Sequence, residues 1–258
     1  MSSPGLLRWA IILAAIAVVA VLVARRGSVS GSARGVWWTA LSLASAGVAS
    51  YAVPAGACVF LGGPTAAGQI FALWGSSLAL AGTALVARRF VGEGPASAPT
   101  RTWGSAVAMG SWYLITGALR LAVLLWAAMQ LAGGRVTSSN PVESLAQGLT
   151  TMQGPGLLLL AIPGILFAPV GEELAFRGLF QPALGGWLKP VAAVALTSLI
   201  FASMHWYYGL RLPLVAFVAA VLGWARIASG GLRAPIMLHM LVNALGFLAI
   251  VLRAMRPG

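Results

Sequence analysis

Residues 171–178 read Gly-Glu-Glu-Leu-Ala-Phe-Arg-Gly, and two adjacent acidic residues are exceptional in this chain. The sequence has 258 residues with only 4 acidic side chains, and apolar runs flank this pair on both sides. An ionisable side chain at membrane depth costs about 2.5–3.5 kcal/mol on insertion scales, so it has a functional or a pairing reason. Glu172 and Glu173 therefore mark the segment around which the rest of the chain is organised.

The composition is that of a membrane protein, because 60% of the residues are hydrophobic, 8% are charged and the mean hydropathy is +0.93. We therefore predict an all-α fold, a polytopic transmembrane helix bundle without a soluble domain. The formal net charge of +12 comes mainly from basic residues at the ends of apolar runs. There they set topology and meet anionic lipid headgroups, so the lipid bilayer rather than nucleic acid is the predicted partner.

Runs of about 20 apolar residues, the length that crosses the hydrocarbon core, predict about eight spans. These lie near residues 6–24, 36–61, 68–87, 104–132, 156–184, 188–208, 212–228 and 233–252. The fifth contains the glutamate pair, the sixth His205 and the eighth His239, and these are the only two histidines. Prolines at 163 and 169 can break the fifth span.

The spans divide the chain into three predicted regions. Residues 1–100 hold three spans and a Gly/Pro/Ala/Ser linker at 91–100, and residues 101–154 hold the fourth span and a segment at 140–153. Residues 155–252 hold the last four spans. The 140–153 segment is predicted to be an interfacial helix, with an ordered loop as the alternative. We expect the first span to be retained rather than removed as a signal peptide.

Two residues in the N-terminal half have predicted structural roles. Arg120 lies within the fourth span, where we expect it to pair with a polar group rather than to take part in catalysis. Cys58 is the single cysteine, so the chain has no internal disulfide and no cysteine-ligated metal site.

The distribution of lysine and arginine predicts an orientation. Loops that follow the odd-numbered spans carry about twice as many basic residues as the opposite side, which places both termini outside the cytoplasm. Short loops and compact length are typical of a bacterial protein, so we predict an inner-membrane location. The oligomeric state is not determined by the sequence.

A spacing of four residues places side chains on one helix face and divides the two carboxylates. Glu173 and Arg177 share a face, in the order that favours an ion pair. Glu172 is rotated by about 100° and does not share this partner. We therefore expect Glu173 and Arg177 to form a structural pair, and Glu172 to stay unpaired, as a general base requires.

The same spacing recurs in two later segments, at Phe201 and His205 and at His239 and Asn243. A base, an imidazole that orients a water, and a His/Asn pair that donates to an oxyanion form a complete hydrolytic set. The structural alternative is that each histidine is a hydrogen-bonded packing residue and that the asparagine links two helices. Because both histidines and half of the acidic residues fall in these few segments, the sequence favours the hydrolytic interpretation.

In this order, the three motifs resemble those of the CPBP family of intramembrane proteases, which includes CAAX prenyl endopeptidases and bacteriocin-processing or self-immunity proteins. The resemblance covers roughly residues 155–250, and it implies that the last four spans, residues 155–252, form a four-helix catalytic core. It implies that Glu172 and His205 activate a water and that His239 and Asn243 stabilise the oxyanion. It further implies that Glu173 and Arg177 hold the motif helix in place and that Phe201 forms a wall of the pocket.

Metal use stays open at the level of sequence. Glu172, His205 and His239 could hold a zinc ion with one position open for water. No HExxH motif is present, and a metal-free mechanism driven by the glutamate needs the same groups.

The predicted function is an intramembrane endopeptidase that cleaves a membrane-associated peptide or protein substrate near its C-terminus. One alternative is a proton-coupled transporter that uses Glu172, His205 and His239 as carriers, although no internal repeat of the motif region is found. Another is a catalytically silent immunity or scaffold protein, which has no need to keep the base and both histidines.

Overall fold

The computed structural model describes residues 36–42, 44–45, 66–91, 155–205, 208 and 212–254. Regular secondary structure in these residues is helical throughout, which confirms the predicted all-α class. Several predicted features lie outside the described residues: the spans near 6–24 and 104–132, most of the 91–100 linker, the 140–153 segment, Cys58 and Arg120. The number of spans therefore stays a prediction.

Five helices follow one another in the two long described segments. We label them α1 (Ala66–Val91), α2 (residues 155–185), α3 (Pro190–Met204), α4 (Leu212–Ser229) and α5 (Arg233–Ala254). Residues 36–42 and 44–45 are also helical. These helices fall on six of the predicted spans.

The predicted end of the sixth span was wrong. The span was expected to continue to residue 208, but α3 ends at Met204, and His205 has φ −95° and ψ 27°, outside the helical region. His205 therefore lies where the chain leaves the helix. This position frees the imidazole from the regular outward direction of a helical side chain.

The described helices have the apolar character of membrane segments. Leu212–Ser229 is long and apolar enough to cross a bilayer, and Trp74–Ala87, Pro190–Met204 and Arg233–Ala249 are shorter apolar helices. Along α5, Leu241, Leu245 and Leu248 are exposed. An outward face of exposed leucines is unfavourable in water and suits contact with lipid.

Helix α2 contains the glutamate pair and is continuous despite its prolines. Its segments are α-helical Pro155–Ile162, π-helical Pro163–Phe167, α-helical Ala168–Ala175, π-helical Phe176–Phe180 and α-helical Gln181–Gly185. Residues at the four junctions keep right-handed helical dihedral angles. The expected break at the prolines is therefore absent, because π turns take up the local change in hydrogen bonding.

Helix α2 is the centre of the packing: it packs against α1, α3 and α5 and hydrogen-bonds to α4 through two side chains. Helices α1 and α2 run parallel, because residue numbers rise along both helices from one contact to the next. Trp74 of α1 contacts Leu159 of α2, and further along Ala81 contacts Gly171. At the second of these points the backbones approach closely, because a Cβ on Gly171 would lie 3.0 Å from Ala81 N. Glycine at 171 thus lets α1 pack directly behind the glutamate pair.

We expect Gly171→Ala to lower the free energy of unfolding by about 1–3 kcal/mol, as overpacking does. The added methyl would meet the backbone of α1, which cannot move aside as a flexible side chain can. Thermal unfolding in detergent micelles measures the change.

The matched control is Gly82→Ala, since a Cβ at this position in α1 has no neighbour within 4 Å among the described residues. Alanine is a better helix former than glycine by about 1 kcal/mol, so this variant should be as stable as the parent or more stable. Equal destabilisation by both substitutions would contradict the close approach at Gly171.

Candidate active site

A fully buried ion pair on α2 anchors the site. Arg177 Nη1 donates to Glu173 Oε1 at 2.8 Å, and neither side chain is exposed. The predicted pairing of these two residues is therefore present. Since a buried charge without a partner is strongly unfavourable, the two residues require each other.

Arg177 also contacts two other helices, α3 and α4. Its Nη2 donates to Ala219 O of α4 at 2.6 Å, and its guanidinium carbon lies 5.0 Å from the centre of the Phe201 ring of α3. A carbonyl oxygen and the face of an aromatic ring both stabilise a cation. One arginine thus links α2, α3 and α4.

His239 lies between the two glutamates. Its Nδ1 is 2.9 Å from Glu173 Oε1, and its Nε2 is 3.6 Å from Glu172 Oε2. Glu172 was expected without an ionic partner and lies within ion-pair distance of His239, although not within hydrogen-bond distance, and Glu173 does more than neutralise Arg177. Both differences arise because α5 packs onto α2 with His239 facing the pair, a contact between residues 66 positions apart.

Hydrogen-bond chemistry limits the protonation states of this cluster. A carboxylate only accepts, so Nδ1 of His239 carries the hydrogen that is donated to Glu173. For Nε2 to donate toward Glu172 or a bound oxyanion, the ring has to carry both hydrogens. In that state two carboxylates balance the imidazolium and Arg177, and the net charge of the cluster is zero. The 3.6 Å separation of Nε2 and Glu172 Oε2 is longer than a direct hydrogen bond.

Phe201 joins the second histidine to this cluster. Its ring stacks on His205 with centroids 4.6 Å apart and meets His239 edge-on at 5.8 Å. Since Phe201 O can only accept, the 2.9 Å contact with His205 Nδ1 is an N–H donor bond. In the neutral ring this leaves Nε2 of His205 as the basic nitrogen. Both histidines therefore contact one buried ring.

Asn243 lies one turn beyond His239 on α5 and also contacts α2. Its Nδ2 donates to Gly164 O at 2.8 Å. His239 and Asn243 thus face the same helix, as their spacing predicted. The backbone partner of Asn243 was not predicted, because Gly164 is outside the three motifs.

The candidate zinc ligands do not form a three-residue group. In the part of the chain that the structure describes, no three His, Cys, Asp or Glu side chains lie close enough together to hold a metal ion. Nδ1 of His205 is directed to the carbonyl of Phe201, and Nδ1 of His239 to Glu173. A zinc site at Glu172, His205 and His239 stays a prediction from the sequence.

Sequence reasoning missed a second contact between α2 and α4. Gln181 Nε2 donates to Gly223 O at 3.0 Å, one turn beyond the contact of Arg177 with Ala219 O. The two contacts advance together, so α2 and α4 run parallel. The signal was available in the motif, since residues 173, 177 and 181 recur every four positions and lie on one face.

The described helices are apolar and enclose a cluster of two carboxylates, a histidine and an arginine, which is consistent with an integral membrane protein. Residues 154–245 match the family described as Type II CAAX prenyl endopeptidase Rce1-like. This segment is therefore similar to that family, which agrees with the resemblance found in the three motifs.

A curated relative gives little functional information of its own. The chain is 34% identical over 99 residues to an uncharacterized 24.3 kDa protein of Escherichia coli, and the match covers 36% of this chain and 45% of the relative. The chain therefore spans less than half of the length of that protein. No solved structure matches the chain.

We expect Arg177→Met to lower the free energy of unfolding by about 3–5 kcal/mol, because it leaves Glu173 as a buried charge without its arginine. The double variant Glu173→Gln/Arg177→Met should regain part of this loss, since it removes both charges and keeps an acceptor for His239. Denaturation in detergent compares the parent, both single variants and the double variant. Strictly additive losses would show that the pair is not coupled.

Proposed function

We propose that this protein is an intramembrane endopeptidase that hydrolyses a peptide bond of a membrane-associated substrate near its C-terminus. The observation that supports this most directly is the pairing of Glu172 with His239, backed by Glu173, inside a segment that matches an endopeptidase family. Glu172 is the member of the cluster with access to the surroundings, since 21% of its side chain is exposed and Glu173 is fully buried.

The first step is activation of a water molecule. Glu172 accepts a proton from the water while the oxygen attacks the carbonyl carbon of the substrate, and the basic Nε2 of His205 helps to orient the same water. The 3.6 Å separation of Glu172 and His239 suits two groups that act on a common third atom rather than on each other. No nucleophilic side chain and no covalent intermediate are required.

The second step is stabilisation and collapse of the tetrahedral intermediate. A doubly protonated His239 donates from Nε2 to the oxyanion, and the second Nδ2 hydrogen of Asn243 does the same. The proton held by Glu172 then passes to the amide nitrogen, the C–N bond breaks, and a carboxylic acid and an amine are formed. The acid gives its remaining proton to Glu172 and leaves as a carboxylate, and Glu172 loses that proton to water or to the amine. Glu173 keeps the His239 ring in place throughout, because it holds Nδ1.

Low-dielectric surroundings make each of these groups more effective. Arg177, Phe176 and Phe201 are buried behind the reacting pair, so the electrostatic interactions of the cluster are poorly screened. A substrate that already lies in the bilayer reaches the site without crossing water. This favours a membrane-anchored polypeptide as the substrate class. From the distribution of basic residues and the short loops, we place the protein in an inner membrane with both of its termini outside the cytoplasm.

We expect Glu172→Gln to slow cleavage by about 10²–10⁴-fold, because the amide keeps the shape of the carboxyl and cannot accept the proton. Purified protein is reconstituted in vesicles with bacterial membrane proteins, and mass spectrometry counts new C-termini. Ser203→Ala is the matched control, since Ser203 is exposed on α3 close to His205 and its hydroxyl donates to Ile200 O of its own helix. Equal cleavage by Glu172→Gln and the parent would refute the assigned base.

Two substitutions separate the two nitrogens of His205. His205→Asn places an amide N–H near Nδ1 and can keep the bond to Phe201 O, whereas His205→Gln places a polar group near Nε2. We expect His205→Asn to keep the parent's thermal stability and lose activity. His205→Gln should retain more activity and lose stability. The reverse ranking in the same two assays would show that Nε2 does not orient the water.

A further inference from the structure

Three prolines lie in or beside the π turns of α2: Pro163, Pro169 and Pro182. Each of them lacks the backbone N–H that donates a hydrogen bond in a helix. In an α-helix the N–H of a residue bonds to the carbonyl four positions earlier, and in a π turn to the carbonyl five positions earlier. A proline therefore leaves one specific carbonyl of the preceding turn without its helical donor. In an apolar environment that carbonyl needs another partner.

The first π turn identifies the carbonyl that Pro169 leaves open. Ala168 N–H bonds to Pro163 O, five positions earlier. The next donor in this register would be residue 169 and its acceptor would be Gly164 O. Asn243 Nδ2 of α5 donates to this same oxygen at 2.8 Å. The side chain of a remote helix thus replaces the hydrogen bond that the proline withholds.

The same rule accounts for a second contact that involves a different helix. Pro163 follows the α-helical segment Pro155–Ile162, so the carbonyl four positions earlier, Leu159 O, lacks its donor. Trp74 Nε1 of α1 donates to Leu159 O at 2.8 Å. Both the acceptor and the side chain lie outside the sequence motifs, so this contact supports the rule independently of the site.

We propose that Pro169 is a positioning residue for Asn243. By withholding its N–H, it leaves Gly164 O as an acceptor that holds one Nδ2 hydrogen of Asn243. The other Nδ2 hydrogen is thereby kept in a defined direction. The part of this inference that concerns the oxyanion rests on the proposed function; the link between Pro169, Gly164 and Asn243 does not.

This arrangement has a physical advantage over a free asparagine. An amide side chain in an apolar cleft rotates among several positions, and ordering it during the reaction would raise the barrier. A hydrogen bond to a rigid helix carbonyl orders it beforehand. The same bond sets the register of α5 against α2, and therefore the position of His239, which lies one turn away.

The test is a crossed set of double variants, measured by thermal unfolding of the full chain in detergent micelles. In the parent, Asn243→Ala leaves Gly164 O without a partner and should lower the melting temperature by about 2–4 °C. In the Pro169→Ala background, the restored N–H can donate to Gly164 O. Asn243→Ala should then lower the melting temperature by less than half as much as it does in the parent.

Pro163→Ala provides the matched control, because it restores an N–H in the same helix whose acceptor is Leu159 O. The loss caused by Asn243→Ala should be unchanged in this background. For Trp74→Phe the roles of the two backgrounds reverse. The drop in melting temperature that it causes should be smaller in the Pro163→Ala background and unchanged in the Pro169→Ala background. If Asn243→Ala fails to fold, Asn243→Leu keeps the volume and is used in the same scheme.

Equal drops in melting temperature from the Asn243 substitution in all three backgrounds would overturn the proposal.

A kinetic measurement then separates a positioning role from an effect on stability alone. With a cleaved membrane substrate in hand, Pro169→Ala should lower kcat by about tenfold and leave KM unchanged, since only interactions of the transition state are lost. Pro163→Ala should change kcat less, and equal effects of the two substitutions on kcat would refute the positioning role. Absence of any cleavage by the parent would refute the proposed function and leave the thermal result to decide this inference.

Discussion

One carboxylate oxygen, Oε1 of Glu173, supports the rest of the described structure. It accepts from Arg177 at 2.8 Å and from His239 at 2.9 Å, in a position without solvent exposure. Through Arg177 it connects α2 with α3 and α4, and through His239 it connects α2 with α5. A buried arginine and a buried carboxylate are each prohibitive alone, so these helices have to come together around the pair.

The second constraint is that every backbone polar group in lipid has to be satisfied by the protein itself. At its prolines and π turns, helix α2 lacks some of the backbone hydrogen bonds that would satisfy its carbonyl groups. Side chains of neighbouring helices donate to these carbonyls instead. Trp74 and Asn243 both do so. Irregular backbone in this helix thus has a consequence for packing, because each open carbonyl determines which neighbour can dock there and in which register.

Agreement between sequence and structure is closest where local geometry decides. The ion pair of Glu173 and Arg177 and the shared direction of His239 and Asn243 both follow from the four-residue helical period. The prediction failed where the outcome depends on another helix. Glu172 was expected to be unpaired and instead lies 3.6 Å from His239, and His205 was expected within a helix and instead follows its last residue.

The sequence by itself therefore determined the helical class, most helix boundaries, the family that residues 154–245 resemble and the pairs that share one helix face. Those properties depend on composition and on the 3.6-residue turn, which hold for a helix in isolation. Only the tertiary structure decided that His239 contacts both glutamates, that Phe201 contacts both histidines and that Asn243 binds Gly164. Contacts between remote helices depend on the crossing geometry and on the hydrogen-bond register of the π turns, and the spacing of residues along one helix encodes neither.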